Sequence, residues 1–336
     1  MNIAPLTPPV PEIGVTEPIT PAYERVKRML FRPFDLGKWF TIGFCAWLAM
    51  LGESGGFNTG YNFNSGGSHH EGGHPAESFR HFYFQARDYV LENIYWILPA
   101  AIFLIILSLA IWVVLLWLNC RGKFMFLHCV ALDTAEVQIP WQRYAGAANS
   151  LCWFRVGLGL AGMILMLPLL VLIAAVIVKM VMAGVVNVPA IMLTAGLAMG
   201  FVLLAVVFGI IRKFLVDFVV PIMFLRGGSC LSAWREFSHL LTGNIWKFAL
   251  YLLFQIVLGM VLGMIVLLAI LLTCCVAGCL MALPYVGTVL LLPVLIFQRS
   301  YALYYLAQYG PQYDVFPQTE PSSPPSVPPA FAPLAG

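Results

Sequence analysis

Apolar and polar positions along the chain come in long blocks, not in the two-residue alternation of half-buried strands. Runs that are apolar all round occupy 36–51, 94–118, 156–178, 189–211, 248–273 and 285–306. A helix needs roughly 17–25 such residues to cross a bilayer. The pattern predicts an all-α integral membrane protein, with six transmembrane helices inside a membrane domain over 22–309. The first run is short, and Pro168 inside the third predicts a kink. Flanking segments read differently. Residues 1–21 and 310–336 are Pro-rich and predict a disordered leader and tail. The Gly, Asn, Ser and His of 52–78 predict a flexible outward loop, and 79–92 a surface helix. A loop of mixed character is expected from Arg121 to Pro140.

Two polar blocks have helical periodicity. Ala22 to Phe31 places aromatic and aliphatic groups against cations and ends before Pro33, which disfavours helix in the residue preceding it. The stretch around Trp234 puts Ser232, Arg235, Glu236, Ser238 and His239 on one side and Leu231, Trp234, Phe237 and Leu241 on the other. That is the pattern of an amphipathic helix on the cytoplasmic membrane surface. It ends at Gly243-Asn244, and Trp246 and Lys247 then mark the water interface where the next span starts. Trp141 and Trp153 have the same spacing as Trp234 and Trp246, and each pair follows a basic membrane exit, at Arg121 and Lys123 or at Arg212 and Lys213. Tyr23 to Trp39 is a looser copy. The chain thus reads as hairpin pseudo-repeats, each an interfacial helix followed by two spans.

Composition sharpens this picture. At 61% hydrophobic and 10% charged, the chain falls outside the range of water-soluble domains. The net charge of +3 is small and its cations lie beside apolar runs, so nucleic acid is not an expected partner. With six crossings, all Lys and Arg except Arg80, Arg87 and Lys179 fall on one side, which the positive-inside rule makes cytoplasmic, together with both termini. Without the short first span that asymmetry nearly vanishes, so it is counted as a span. The N-terminus lacks the basic and apolar regions of a secretory signal, so insertion is expected to rest on the internal helices.

Val219-Val-Pro221, Gly227-Gly-Ser229, Ala233, Ser238, Gly243 and Trp246 together resemble a pattern found in a known group of membrane proteins. It is similar to the membrane domain attached to some bacterial glycerophosphodiester phosphodiesterases and to stand-alone bacterial membrane proteins of the same layout. The likeness covers about 200–305 closely and the remainder by layout. It implies a six-helix bundle with cytoplasmic interfacial helices in a bacterial inner membrane. The soluble phosphodiesterase barrel and its metal-binding acidic residues have no counterpart here, so that activity does not carry over.

Candidate chemistry is sparse. His69, His70 and His74 form a weak candidate metal set, set among glycines that make a preorganised site costly. The eight cysteines are scattered, several in apolar runs, and imply no disulfide framework. Asp217 and Arg299 fall at similar depth and form a candidate buried polar pair, with Gln255 and Asn119 as weaker polar positions. Gly196/Gly200 and Gly259/Gly263 have the spacing of close helix crossings. No phosphate-binding loop, metalloprotease motif, dinucleotide fingerprint or catalytic triad is present, and no cofactor is expected. The expected function is a non-catalytic module engaging membrane lipid, a membrane-protein partner or a second copy of itself. A small transporter or channel with a polar path near Asp217, Gln255 and Arg299 is the alternative, and a lipid head-group enzyme is the next.

Overall fold

In the computed structural model, which describes residues 13–52, 85, 89, 91–183, 187–273 and 276–316, helices form where the apolar blocks place them. No strand occurs among those residues. The helices are α1 (Ile19–Phe31), α2 (Leu36–Met50), α3 (Ile94–Leu132), α4 (Gln138–Arg143), α5 (Ala145–Ala183), α6 (Val188–Phe214), α7 (Val220–Arg226), α8 (Cys230–Gly243), α9 (Ile245–Leu272), α10 (Val276–Ala282), α11 (Pro284–Leu290) and α12 (Leu292–Ala307). A π-helical turn over Leu215–Val219 carries α6 into α7 without a break. Among the described residues, four helices are long and apolar enough to cross a membrane: α3, α5, α6 continued through α7, and α9. α2 is shorter, at 15 residues.

Several sequence expectations are corrected. The predicted span 285–306 is two helices, α11 and α12, parted at Leu291, because Pro293 has no N–H to continue the ladder. The predicted exits at Leu118 and Ile211 lie inside continuous helices. In place of a loop after Asn119, α3 runs on to Leu132, and its last turns bury Phe124, Met125, Leu127 and Val130. Apolar burial there outweighs the polar look of Arg121-Gly-Lys123. Parts of the predicted leader and tail are also ordered: Ile13 and Val15 pack on the core, and Tyr313 and Val315 are buried. Tyr301 Oη donates to the Val15 carbonyl at 2.7 Å and Gln308 Nε2 to that of Gly14 at 3.1 Å. The outward loop 53–78 and most of the predicted surface helix lie outside the described residues.

Local signals set the helix ends. Asp35 caps α2 by accepting the Gly37 N–H at 2.8 Å, and Ser229 caps α8 by accepting that of Ser232 at 3.3 Å. Gly227, at φ 66°, closes α7 in the left-handed conformation.

The core sits at one end of the long helices. It collects the C-terminal half of α3, the first turns of α5 and α9, the π turn with α7, one face of α8, and α12. α2 lies within this assembly against α3, α11 and α12. Gly122 makes that possible: a Cβ there would stand 2.4 Å from the Ala49 nitrogen and the Leu48 carbonyl carbon, so the two backbones touch. The expected glycine crossing behaves differently. Gly196 has nothing within 4 Å, and Gly200 meets only a Leu169 methyl at 4.0 Å. Beyond the core, the apolar halves of α3, α5, α6 and α9 are left almost unburied by the rest of the chain.

Candidate functional site

Pro221 organises the polar centre of the molecule. In a regular α-helix the Val216 carbonyl would accept the Val220 N–H, but in the π turn that N–H goes to Leu215. The partner one residue further on is Pro221, which has none to give. The Val216 carbonyl is released and Arg299 of α12 takes it, Nη1 donating at 2.6 Å. One residue on, Asp217 Oδ2 accepts the Tyr251 hydroxyl at 2.9 Å and pairs with Lys213 Nζ at 2.9 Å. Gln255, one turn along α9, donates to the Tyr251 hydroxyl at 3.0 Å. Asp217 and Arg299 thus share the π turn, Asp217 as a member whose carboxylate holds Tyr251 and Lys213, and Arg299 through the neighbouring Val216 peptide.

Aromatic rings close over this cluster. Phe218 lies 4.9 Å from Tyr251 and stacks on Phe237 at 5.2 Å, and Tyr251 approaches Tyr305 at 4.6 Å, centroid to centroid. Tyr251 is wholly buried. Lys213 alone of the group reaches outward, with its side chain 40% exposed.

A second node joins α2, α3 and α5. Asn119 Nδ2 donates to the carbonyls of Ala49 and Leu51, at 2.6 and 2.8 Å, serving oxygens that the end of α2 leaves without helical partners. Arg155 Nη1 donates to Asn119 Oδ1 and lies 4.0 Å from Cys120 Sγ. A third node repeats the principle. Arg25 forks onto the last carbonyls of α3, Nη2 reaching Val130 at 2.8 Å and Ala131 at 2.6 Å. A cation at a helix C-terminus is favoured by the dipole as well as by the bonds. Burial lowers the Arg25 pKa, opposed by Tyr304 and Asp133, and its guanidinium lies over the Phe316 ring at 4.7 Å.

The tryptophans expected at the interface divide by position within each pair. Trp153 and Trp246, the second member of each pair, are 77% and 84% exposed. Trp141 and Trp234, the first members, are half-buried. Trp141 turns onto Arg121, whose guanidinium is held between the Trp117 and Trp141 rings at 4.5 and 4.6 Å. Trp234 packs near Phe154 and Phe237. Arg235 and Lys247 are exposed, although the Lys247 carbonyl accepts the Tyr305 hydroxyl at 2.9 Å. Leu231, expected on the apolar side of its helix, is 69% exposed, while Cys230, Ala233 and Phe237 form the buried side. His69, His70 and His74 lie outside the described residues, and no group of three or more metal-ligating side chains occurs among the described ones.

Sequence reasoning missed Tyr251, Lys213, Arg155, Arg25 and Gly122. Tyr251 and Gln255, four apart on an otherwise apolar helix, were the available signal for the first. The others required knowledge of which helix ends meet.

The model of a family described as a family of unknown function (DUF7544) matches residues 14–292. The match takes in Asp217, Tyr251 and Gln255 and stops at the start of α12, before Arg299. No curated protein matches the chain, and no solved structure does. Because the matched stretch spans most of its length, the chain belongs to this family of unknown function, DUF7544.

Proposed function

We propose that the protein is a non-catalytic membrane module in which a packed, cytoplasm-facing core holds long apolar helices apart for contact with lipid. The observation that carries this reading is the division between the two halves of those helices. At the core end, donors at the three nodes engage backbone carbonyls or the side-chain oxygens of Asp217, Tyr251 and Asn119. Beyond it, the apolar faces are left almost unburied by the rest of the chain. Six crossings, with both termini in the cytoplasm of a bacterial cell, suit the same division. The four long helices supply four of these crossings, and α2 and the α11–α12 pair, expected as the first and last, lie packed at the core end. Exposed Trp153 and Trp246 then sit at the membrane boundary, where indole prefers to lie.

Brominated lipid tests this reading. In nanodiscs of protein carrying Trp96→Phe, since Trp96 is also exposed, tryptophan emission is expected to be quenched by bromine placed near the headgroup, with most of the quenching lost on adding Trp153→Phe/Trp246→Phe and little on adding Trp141→Phe. Equal loss from the two variants would remove the lipid-facing assignment.

The π turn favours a second reading, because such turns recur at functional sites. In it, Asp217, Gln255 and Arg299 border a gated polar path. Solute flux in proteoliposomes that disappears in Arg299→Ala, in protein with unchanged thermal stability, would support this over the first.

A further inference from the structure

Four of the buried cysteines meet in two pairs, both on α3. Cys45 of α2 and Cys129 of α3 bring their sulfurs to 3.9 Å, and both side chains are wholly buried. Cys152 of α5, one turn before Arg155, is the thiol neighbour of Cys120 of α3. α3 therefore presents a thiol to each of two neighbouring helices. The settings differ from that of Cys230, which burial alone pushes up to about 12. The Arg155 guanidinium, 4.0 Å from Cys120 Sγ, supplies the counter-charge for a thiolate at the second pair. At the first, Cys129 Sγ also lies 3.7 Å from the Glu136 carbonyl, in a contact that spans the turn after α3.

We propose that Cys45 with Cys129, and Cys120 with Cys152, are two oxidation sites that convert to disulfides and fasten α3 to α2 and to α5. The oxidant is a hydroperoxide. One thiolate of a pair attacks the peroxide, the O–O bond breaks, and the sulfur becomes a sulfenic acid as one water or alcohol leaves. The partner thiolate then attacks that sulfur, the S–O bond breaks, and a second water departs. Each pair loses two electrons and two protons, and the hydroperoxide takes up both. A reducing dithiol reverses the change by thiol exchange.

Peptide mapping of the full chain in nanodiscs tests the proposal. Protein treated with hydrogen peroxide, and a parallel sample treated with copper–phenanthroline, are blocked with N-ethylmaleimide and digested. The expected result is two linked peptides, 45 with 129 and 120 with 152, both lost on adding dithiothreitol. The oxidised protein should also melt a few degrees higher, an increase that dithiothreitol cancels. Cys45→Ser should abolish the first link only and Cys152→Ser the second only. Should Cys45→Ser fail to fold, Cys129→Ala replaces it, and the mapping of the unmodified chain stands without variants. Absence of both links under both oxidants would overturn the proposal, as would conversion of these sulfurs to sulfinic acid or links between members of different pairs. A single link would overturn it for the other pair.

Discussion

At the scale of single residues, the positions that matter most are those where a backbone group would otherwise be stranded or another backbone arrives. Gly122 is the clearest. Adding one carbon drives it into the α2 backbone, so Gly122→Ala is expected to cost about 1–3 kcal/mol, the usual range for overpacking a filled core. Gly196→Ala makes the control, since nothing lies within 4 Å of it and alanine is the better helix former by up to about 1 kcal/mol. Thermal melts of the two variants in nanodiscs should move in opposite directions. Tyr251→Phe removes one hydroxyl that serves both Asp217 and Gln255 in a dry setting. A loss of about 1–3 kcal/mol is expected, read as a lower denaturation midpoint. Pro221→Ala restores an N–H that can compete with Arg299 for the Val216 carbonyl. In that variant Arg299→Ala should cost less than it does in the parent, and equal costs in a double-mutant cycle would refute the proline account.

Among elements, the instructive ones are α3 and the α6–α7 helix, which run several turns past the exits that hydropathy assigns them. Charges at Arg121, Lys123, Arg212 and Lys213 read as exits in the sequence, but they do not end a helix whose next turns bury aromatic and aliphatic side chains. α2 is the reverse case: short, apolar, and held in place by what receives it. Its final carbonyls depend on Asn119, which Arg155 orients. Arg155→Ala should therefore loosen the end of α2 while leaving the far half of α5 unchanged. Hydrogen exchange is expected to accelerate at the amides of residues 47–51, and uniform acceleration across α5 would instead point to general unfolding.

For the whole molecule, the division between a buried core at one end and exposed apolar helices beyond it makes a topological prediction. Cys279 is exposed and belongs to the segment joining α9 to α11, at the end of α9 far from the core. With the core on the cytoplasmic side, a membrane-impermeant maleimide should label Cys279 in intact spheroplasts of a Cys274→Ser/Cys275→Ser variant. Cys230, buried at the core end with its thiol held up at about 12, should stay unlabelled at neutral pH. Labelling of Cys279 only after permeabilisation would reverse the orientation.

The sequence by itself determined that the chain is helical and membrane-suited, where its long apolar blocks lie, and that amphipathic helices precede α2 and α9. Those properties follow from hydropathy, period and cap chemistry, all local along the chain. The amphipathic period of α8 and its stop at Gly243 were legible for the same reason. Only the tertiary structure decided which carbonyls Arg25, Asn119 and Arg299 serve, that Gly122 and not Gly196 is the close crossing, and that four distant cysteines form two pairs. Each of these depends on two segments far apart in sequence arriving at one place. The mutual fit of packed helices fixes that arrival, and a one-dimensional pattern carries no record of it.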